Sequence, residues 1–297
     1  MTTLLLDGGL ATELQRAGLP VREPWWSSRA LLTDAHRLLL RSVHEAYLAA
    51  GARVITANTF RTNVRALRRT RLDEAGREWL VHAAVGVAGA ARNGAGVPDA
   101  LVAGSVGPAA DCYRPDLVPP DEELRAEHAW LATRLARAGV NLFLIETMNT
   151  VREARIALAE VLRLGGRAWV SFTCAAGGLL LSGEPLPGAV RAVTADGAEA
   201  VLVNCTPPEH TEAALRALRE AWSGPAGAYP NNEDRAGLPA GGHVDRHLRA
   251  LLGPNEFADR VAGWCSEYGL TVAGGCCGTA PAHLAALSGL LHGAALS

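Results

Sequence analysis

The chain has 297 residues, 49% of them hydrophobic, and a formal net charge of −2 at pH 7. This near-neutral charge argues against nucleic acid or an anionic membrane as a partner, and no apolar run approaches the roughly 18 residues of a membrane span. The segment Met1–Asp7 lacks the basic region of a signal peptide, so we expect a cytoplasmic protein. The length suits one large domain or two small ones.

Short apolar runs typical of β-strands alternate with longer helical patterns along the chain. The eight predicted strands are Leu4–Asp7, Arg53–Asn58, Ala100–Val106, Asn141–Glu146, Arg167–Thr173, Ala200–Cys205, Ala226–Asn231 and Leu270–Gly275. Their sequences are almost continuously apolar, which is typical of parallel strands covered on both faces. Each run ends in a polar or reactive residue or is followed by one.

Five amphipathic segments between these runs predict helices. They are Asp34–Ala50, Asp121–Ala138, Thr150–Leu164, Glu209–Ala221 and Pro281–Leu291. The second opens with acidic residues and is followed by Gly139, and the last opens with proline, as helix termini prefer. The Gly-rich, polar segment Asn232–His243 predicts a long loop after the seventh strand.

Eight strand-then-helix units predict an α/β fold, a (β/α)8 TIM barrel that forms a single domain over residues 1–297. A doubly wound open sheet is the alternative. No Gly-x-Gly-x-x-Gly motif follows the first strand, which argues against a dinucleotide-binding site. In a barrel the carboxyl ends of the strands form the active-site face, where the polar strand ends described above would meet.

Three cysteines lie at predicted strand ends. Cys205 ends the sixth strand, and Cys276 and Cys277 follow the eighth between glycines. In a barrel only one strand separates the sixth strand from the eighth, so the three thiols could converge. They could bind Zn²⁺ and leave its fourth tetrahedral position open for a substrate thiol. Alternatively, Cys205 is a small buried hydrophobe, and Cys276–Cys277 is a redox pair or core packing. Their convergence favours the metal site.

The remaining cysteines do not share this placement. Cys265 lies within a helical pattern and is predicted to be a core residue, whereas Cys174, close to a strand end, is a weaker ligand candidate. The role of Cys112 stays open. Without an export signal a cysteine cluster is more often metal-binding or catalytic than disulfide-bonded.

Six motifs along nearly the whole chain resemble, in order, those of the zinc-dependent homocysteine S-methyltransferase family. They are Leu5–Gly9, Ile55–Phe60, Gly104–Pro108, Glu146–Thr147, Val203–Pro207 and Gly274–Thr279. That family includes enzymes that use S-methylmethionine or betaine, and the homocysteine module of cobalamin-dependent methionine synthase. The combination of Asn-Cys with Gly-Gly-Cys-Cys-Gly is its most specific part.

The resemblance implies a zinc-binding barrel whose metal ligands are Cys205, Cys276 and Cys277. It implies methyl transfer to the thiol of L-homocysteine, giving methionine. No corrinoid- or folate-binding domain accompanies the motifs, so we favour a small onium donor, S-methylmethionine or S-adenosylmethionine. Methyl transfer to another thiol or selenol, or a non-catalytic zinc- or thiol-binding barrel, are the alternatives. The oligomeric state stays open.

The resemblance also assigns the substrate pocket. It places the homocysteine amino group against Asp7 and Glu146, and the homocysteine carboxylate against the backbone N–H groups of Gly8 and Gly9. Taken singly, either acid could instead be a solvated loop residue or a helix cap. Two further pocket candidates are Asn58 and Ser105.

A cationic donor is expected to contact aromatic faces. Trp25 and Trp26 follow the first strand, and Tyr229 lies at the end of the seventh, so these three are the donor-site candidates. A hydrophobic plug or an oligomer contact is the alternative for the two tryptophans. The segment Ala109–Pro115 is expected to shape the donor side of the pocket.

Overall fold

The computed structural model describes residues 3–235 and 246–293. It contains eight parallel strands. They are β1 (Leu4–Leu5), β2 (Val54–Ala57), β3 (Leu101–Val106), β4 (Leu142–Met148), β5 (Arg167–Phe172), β6 (Ala200–Asn204), β7 (Ala226–Tyr229) and β8 (Val272–Ala273).

Ten α-helices lie in the described residues. They are α1 (Leu10–Arg16), α2 (Asp34–Ala49), α3 (Val64–Leu67), α4 (Glu74–Gly94), α5 (Asp121–Arg137), α6 (Val151–Leu162), α7 (Leu186–Ala195), α8 (Pro208–Ala221), α9 (Pro254–Tyr268) and α10 (Pro281–His292). Three short 3-10 segments interrupt the loops, and Trp26–Leu31 is the longest of them. Within these ranges no helix combines the length and the apolar character needed to cross a bilayer.

The strands follow one another around a closed barrel. Consecutive strands pair from β2 to β8, and β8 pairs with β1. Leu6 bridges to Val54, and the Arg53 N–H donates to the Leu5 carbonyl at 2.8 Å, which joins β1 to β2. The predicted (β/α)8 barrel is therefore confirmed.

The paired strands β1 and β8 are shorter than the sequence predicts. β1 and β8 have two residues each, because the chain leaves the sheet just above them. The Gly275 N–H donates to the Asp7 carbonyl at 3.1 Å, and a Cβ atom on Gly274 would lie 2.8 Å from that oxygen. Gly274 therefore allows the end of β8 to approach the end of β1 closely.

The core has two layers, because successive strand residues point to opposite faces. Leu142 and Leu144 of β4 fill the barrel interior with Trp169, whereas Phe143 and Ile145 pack outward against the helices. Because the barrel interior is filled, we expect the site at the carboxyl ends of the strands, where barrels of this class carry it.

The five predicted helices are present, with ends that differ by at most two residues. Other helices, notably α4, were not predicted. α4 contains four glycines, Gly76, Gly86, Gly89 and Gly94, and glycine is a poor helix former that obscures the pattern. Of the predicted loop Asn232–His243, residues 236–243 lie outside the described residues.

Candidate active site

Three thiols meet above the barrel. The Sγ atom of Cys205 lies 3.2 Å from that of Cys276 and 3.8 Å from that of Cys277, and the last two are 4.0 Å apart. Cys205 follows β6 with φ of 48°, a left-handed conformation that a non-glycine residue adopts only when its surroundings impose it. The fold therefore brings together the three cysteines that the sequence singled out.

The contacts among the three thiols change their pKa values in opposite directions. Hydrogen bonds from Cys276 and Cys277 lower the pKa of Cys205 well below its ordinary value. The same contacts with Cys205 raise the pKa of Cys276 and of Cys277 well above theirs. Negative charge in the metal-free cluster thus concentrates on the Cys205 sulfur, and a cation placed among the sulfurs would favour the thiolate form of all three.

The other cysteines are separate and buried. Burial raises the pKa of Cys112 and of Cys174 to about 12, and that of Cys265 in α9 to about 11. None of the three belongs to a group of potential metal ligands among the described residues. They are therefore neutral thiols near pH 7.

Two buried carboxyls lie beside the thiols. Asp7 accepts hydrogen bonds from the Thr56 N–H at 2.7 Å and from the Thr56 hydroxyl at 3.0 Å. Glu146 accepts from the Ser105 hydroxyl and from the Tyr229 hydroxyl, the latter at 3.2 Å. Burial raises the pKa of both carboxyls to about 7, and the charge of Asp7 adds to the effect on Glu146. Both would ionise more readily next to a cation.

Gly8 and Gly9 lie between β1 and α1. A Cβ atom on Gly8 would come within 2.7 Å of the Tyr47 ring, so only glycine fits there. The Gly9 N–H donates to the Thr279 hydroxyl at 2.9 Å. A carboxylate that binds the Gly9 N–H must therefore displace this hydroxyl, which also donates to the Cys276 carbonyl at 2.6 Å.

Asn204 fixes the backbone next to both Glu146 and Cys205. Its Oδ1 accepts from the Thr147 N–H at 2.9 Å and from the Ser171 hydroxyl at 2.7 Å, and its Nδ2 donates to the Thr147 hydroxyl at 2.8 Å. Thr147, like Cys205, has a positive φ, of 60°. One fully buried amide thus supports two strained residues that flank the site.

Replacing Asn204 by alanine should lower the free energy of unfolding by about 2–4 kcal/mol, because several buried polar groups lose their partners at once. Urea denaturation measures this loss. The matched control is Asn141→Ala, at an exposed asparagine just before β4, which should cost less than about 0.5 kcal/mol. Equal losses for the two variants would contradict the supporting role of Asn204.

A cavity of about 250 Å³ connects these groups. Its lining includes the three cysteines, both carboxyls, Asn58, Ser105, Tyr229 and Trp26. Trp25 is not among the lining residues and instead packs against the hydrophobic core.

Two donor-site candidates already have protein partners. The Arg61 guanidinium lies 5.4 Å from the centre of the Trp26 ring, and the Tyr229 hydroxyl holds Glu146. The side chain of Asn58 binds the backbone of a neighbouring segment. Its Nδ2 donates to the Ser27 carbonyl at 2.9 Å, which anchors the segment that carries Trp26.

Comparison with known proteins places this geometry in a family. Residues 4–291 match the family described as Homocysteine S-methyltransferase. The chain belongs to this family. A homocysteine S-methyltransferase of Escherichia coli (strain K12) is 34% identical over 96% of this chain and 94% of its own.

Further relatives of the homocysteine S-methyltransferase family widen the comparison. A selenocysteine Se-methyltransferase of Brassica oleracea var. italica is 29% identical, over 95% of this chain and 87% of its own. The metallated form of the homocysteine methyltransferase MmuM from Escherichia coli superposes with a TM-score of 0.82 at 32% identity, covering 97% of this chain and 96% of that one. The protein is therefore a methyltransferase of the (β/α)8 class.

The structure adds contacts and site residues beyond those that the sequence named individually. Tyr113 belongs to the segment Ala109–Pro115, which was expected to shape the pocket, and its hydroxyl lies 3.3 Å from the Cys205 Sγ. Glu233 and His247 form, with Cys277, a second group of potential metal ligands, and the His247 Nδ1 lies 2.6 Å from the Glu233 Oε1. Glu233 follows two asparagines after β7, which hinted at a site, whereas nothing in the sequence pointed to His247.

Proposed function

We propose that this protein transfers a methyl group from a small onium donor, S-methylmethionine or S-adenosylmethionine, to the thiol of L-homocysteine, giving methionine. The observation that carries this proposal is the convergence of three cysteine sulfurs with two buried carboxyls on one cavity. The three sulfurs suit a metal that binds a soft substrate atom, and the two carboxyls suit an ammonium group. Homocysteine presents both a thiol and an ammonium group.

The sulfur cluster fits Zn²⁺. With Zn–S bonds of about 2.3 Å, a tetrahedral site places its sulfurs about 3.8 Å apart, and the three observed separations run from 3.2 to 4.0 Å. Cys205, Cys276 and Cys277 would hold the ion and leave its fourth position facing the cavity that they line. Bound zinc would keep the acceptor thiol in its nucleophilic thiolate form near neutral pH.

The two carboxyls are assigned to the homocysteine ammonium. Thr56 orients Asp7, and Ser105 together with Tyr229 orients Glu146, so each carboxylate is held before the substrate arrives. An ammonium between them would relieve the cost of ionising two buried acids. We assign the homocysteine carboxylate to the turn at Gly8 and Gly9.

The reaction is a single displacement. The homocysteine sulfur forms a bond to the methyl carbon as the bond from that carbon to the donor sulfonium sulfur breaks, and the donor leaves as a neutral thioether. The thiol proton passes to solvent before transfer, so one proton is released for each methyl group transferred. The residues of the chain contribute mainly by positioning the two substrates in line.

The direct test combines metal content with turnover. Protein purified with reduced thiols should contain close to one zinc per chain and form methionine from homocysteine with S-methylmethionine or S-adenosylmethionine. A panel that adds betaine identifies the donor. Zinc binding and homocysteine binding without turnover of any onium donor would instead identify a non-catalytic thiol-binding barrel.

A selenol acceptor is the second candidate, supported by the similarity to the plant selenocysteine Se-methyltransferase. A selenolate is softer than a thiolate and would suit the same sulfur-rich metal. Competition between homocysteine and selenocysteine at equal concentration separates the two, since kcat/KM values decide which acceptor is preferred.

A further inference from the structure

The cavity is lined by groups of both charges. Its buried end carries the carboxyls of Asp7 and Glu146 and the thiol of Cys205, whose exposed fractions are 3%, 8% and 5%. The described part of its lining also contains three arginines: Arg61, Arg235 and Arg246. A dipolar ligand would therefore enter with its cationic part towards the sulfurs and its anionic part towards an arginine.

Among these arginines, Arg235 lies one aromatic ring from the sulfur cluster. Its guanidinium carbon is 4.8 Å from the centre of the Tyr113 ring, and the hydroxyl of that ring is 3.3 Å from the Cys205 Sγ. The side chain of Arg235 is 22% exposed, and its contact with the Glu233 carboxylate is long, at 3.5 Å. Among the described residues, Glu233 is the hydrogen-bond partner found for the five N–H donors of Arg235, and the ring contact of Arg235 is with Tyr113.

The two other arginines are less suited to this role. Arg61 donates to the Ala110 carbonyl at 3.4 Å and lies over the rings of Trp26 and Phe60. Arg246 is exposed, where an ion pair with a ligand contributes little. Arg235 is therefore the arginine best placed to bind an anion inside the cavity.

The tyrosine under Arg235 is held in a fixed position. The Ala109 N–H donates to the fully buried Glu153 at 2.7 Å, and the fully buried Asn149 donates to the Cys112 carbonyl at 3.0 Å. The Tyr113 N–H donates to Asp111 at 2.9 Å. The segment from Ala109 to Tyr113 is thus anchored on α6 and on Asn149, just before that helix. Tyr113 therefore offers a preorganised surface to Arg235.

We infer that Arg235 binds the carboxylate of the methyl donor and so selects onium donors of the methionine type. This inference rests on the proposed function. Such a donor carries its carboxylate a short aliphatic chain away from the sulfonium, and the acceptor's ammonium already occupies the two buried acids. The guanidinium can donate two parallel hydrogen bonds to a carboxylate, with the Tyr113 ring between it and the Cys205 sulfur.

The test compares S-methyl-L-methionine with its carboxamide, which differs only in the missing negative charge. The wild-type protein should show a KM for the carboxylate donor that is roughly 10- to 100-fold lower than for the amide, the usual value of a hydrogen bond to a charged group. Arg235→Gln should bring that ratio close to one, and Arg235→Lys should restore part of it. Zinc content and the KM for homocysteine should not change.

The control is Arg249→Gln. Arg249 lies just beyond His247, is 83% exposed and pairs with Asp234 outside the cavity lining, so the ratio should stay at its wild-type value. A ratio in Arg235→Gln equal to that of the wild type would overturn the inference, as would equal affinity of the wild type for the two donors. If no onium donor is turned over, the proposed function fails, and calorimetric Kd values for the same pair of ligands still decide the inference.

Discussion

Cys276→Ala should abolish both metal binding and methyl transfer. The substitution removes one of three sulfurs that lie within 4.0 Å of one another. Loss of a group that merely orients a metal ligand costs up to about 100-fold in affinity, so loss of the ligand itself should cost at least that. Metal stoichiometry after dialysis against a weak chelator and initial rates of methionine formation measure the two effects.

The matched control for this variant is Cys174→Ala. Cys174 is more enclosed than the partly buried Cys276, with 1% exposure, and belongs to no group of potential metal ligands in the described residues. It should keep its zinc and most of its activity and lose only about 1 kcal/mol of stability from the small cavity. Full metal occupancy in Cys276→Ala would refute the three-sulfur site.

Glu146→Gln should weaken homocysteine binding yet stabilise the ligand-free protein at alkaline pH. The pKa of Glu146 is about 7 in the fold and 4.5 in its ordinary state. The folded protein therefore retains this proton where the unfolded chain has lost it. This carboxyl contributes its full stability below pH 4.5, and the contribution falls as pH rises through about 7.

The difference of about 2.5 pKa units corresponds to about 3 kcal/mol, and the glutamine variant lacks this pH-dependent loss. We therefore compare the free energy of unfolding of the variant with that of the wild type. This difference should shift in favour of the variant by up to about 3 kcal/mol from pH 4.5 to pH 8, as measured by urea denaturation of metal-free protein. The KM for homocysteine should rise roughly 10- to 100-fold, the value of one charged hydrogen bond.

The exposed Glu220, at the end of α8, provides the control. Glu220→Gln should change neither the pH dependence of stability nor the KM. A Glu146→Gln variant whose stability relative to the wild type is the same at pH 4.5 and pH 8 would show that this carboxyl ionises as easily in the fold as in water.

The strand ends show how much of this site could be predicted from sequence. In parallel barrels the carboxyl ends of all strands meet on one face, so the cysteines after β6 and β8 had to be neighbours once the strands were recognised. The pairing of β6 with β7 and of β7 with β8 confirms that step. The separations of the sulfurs depend on loop conformation, such as the positive φ of Cys205, and required the structure.

Contacts made by loops were not predictable in the same way. Tyr113 reaches Cys205 across 92 residues, and Gln15 holds His247 across 232 residues with two hydrogen bonds to its backbone. No periodic pattern encodes such pairs, because loop residues carry neither the period of a helix nor that of a strand. The ends of β1 and β8 were misjudged for a related reason, since the apolar run continues past the point where the backbone leaves the sheet.

The junction between β1 and β8 also determines when the site can form. The Gly9 N–H meets Thr279 across 270 residues, and Asp7 lies beside the turn that carries Cys276. Contacts of such high sequence separation form late, because a long loop must close before they contribute stability. A chain emerging from the ribosome thus exposes Cys205 well before its partner thiols are synthesised. Loading of the proposed zinc would therefore be coupled to the last step of folding, and early oxidation of Cys205 would compete with it.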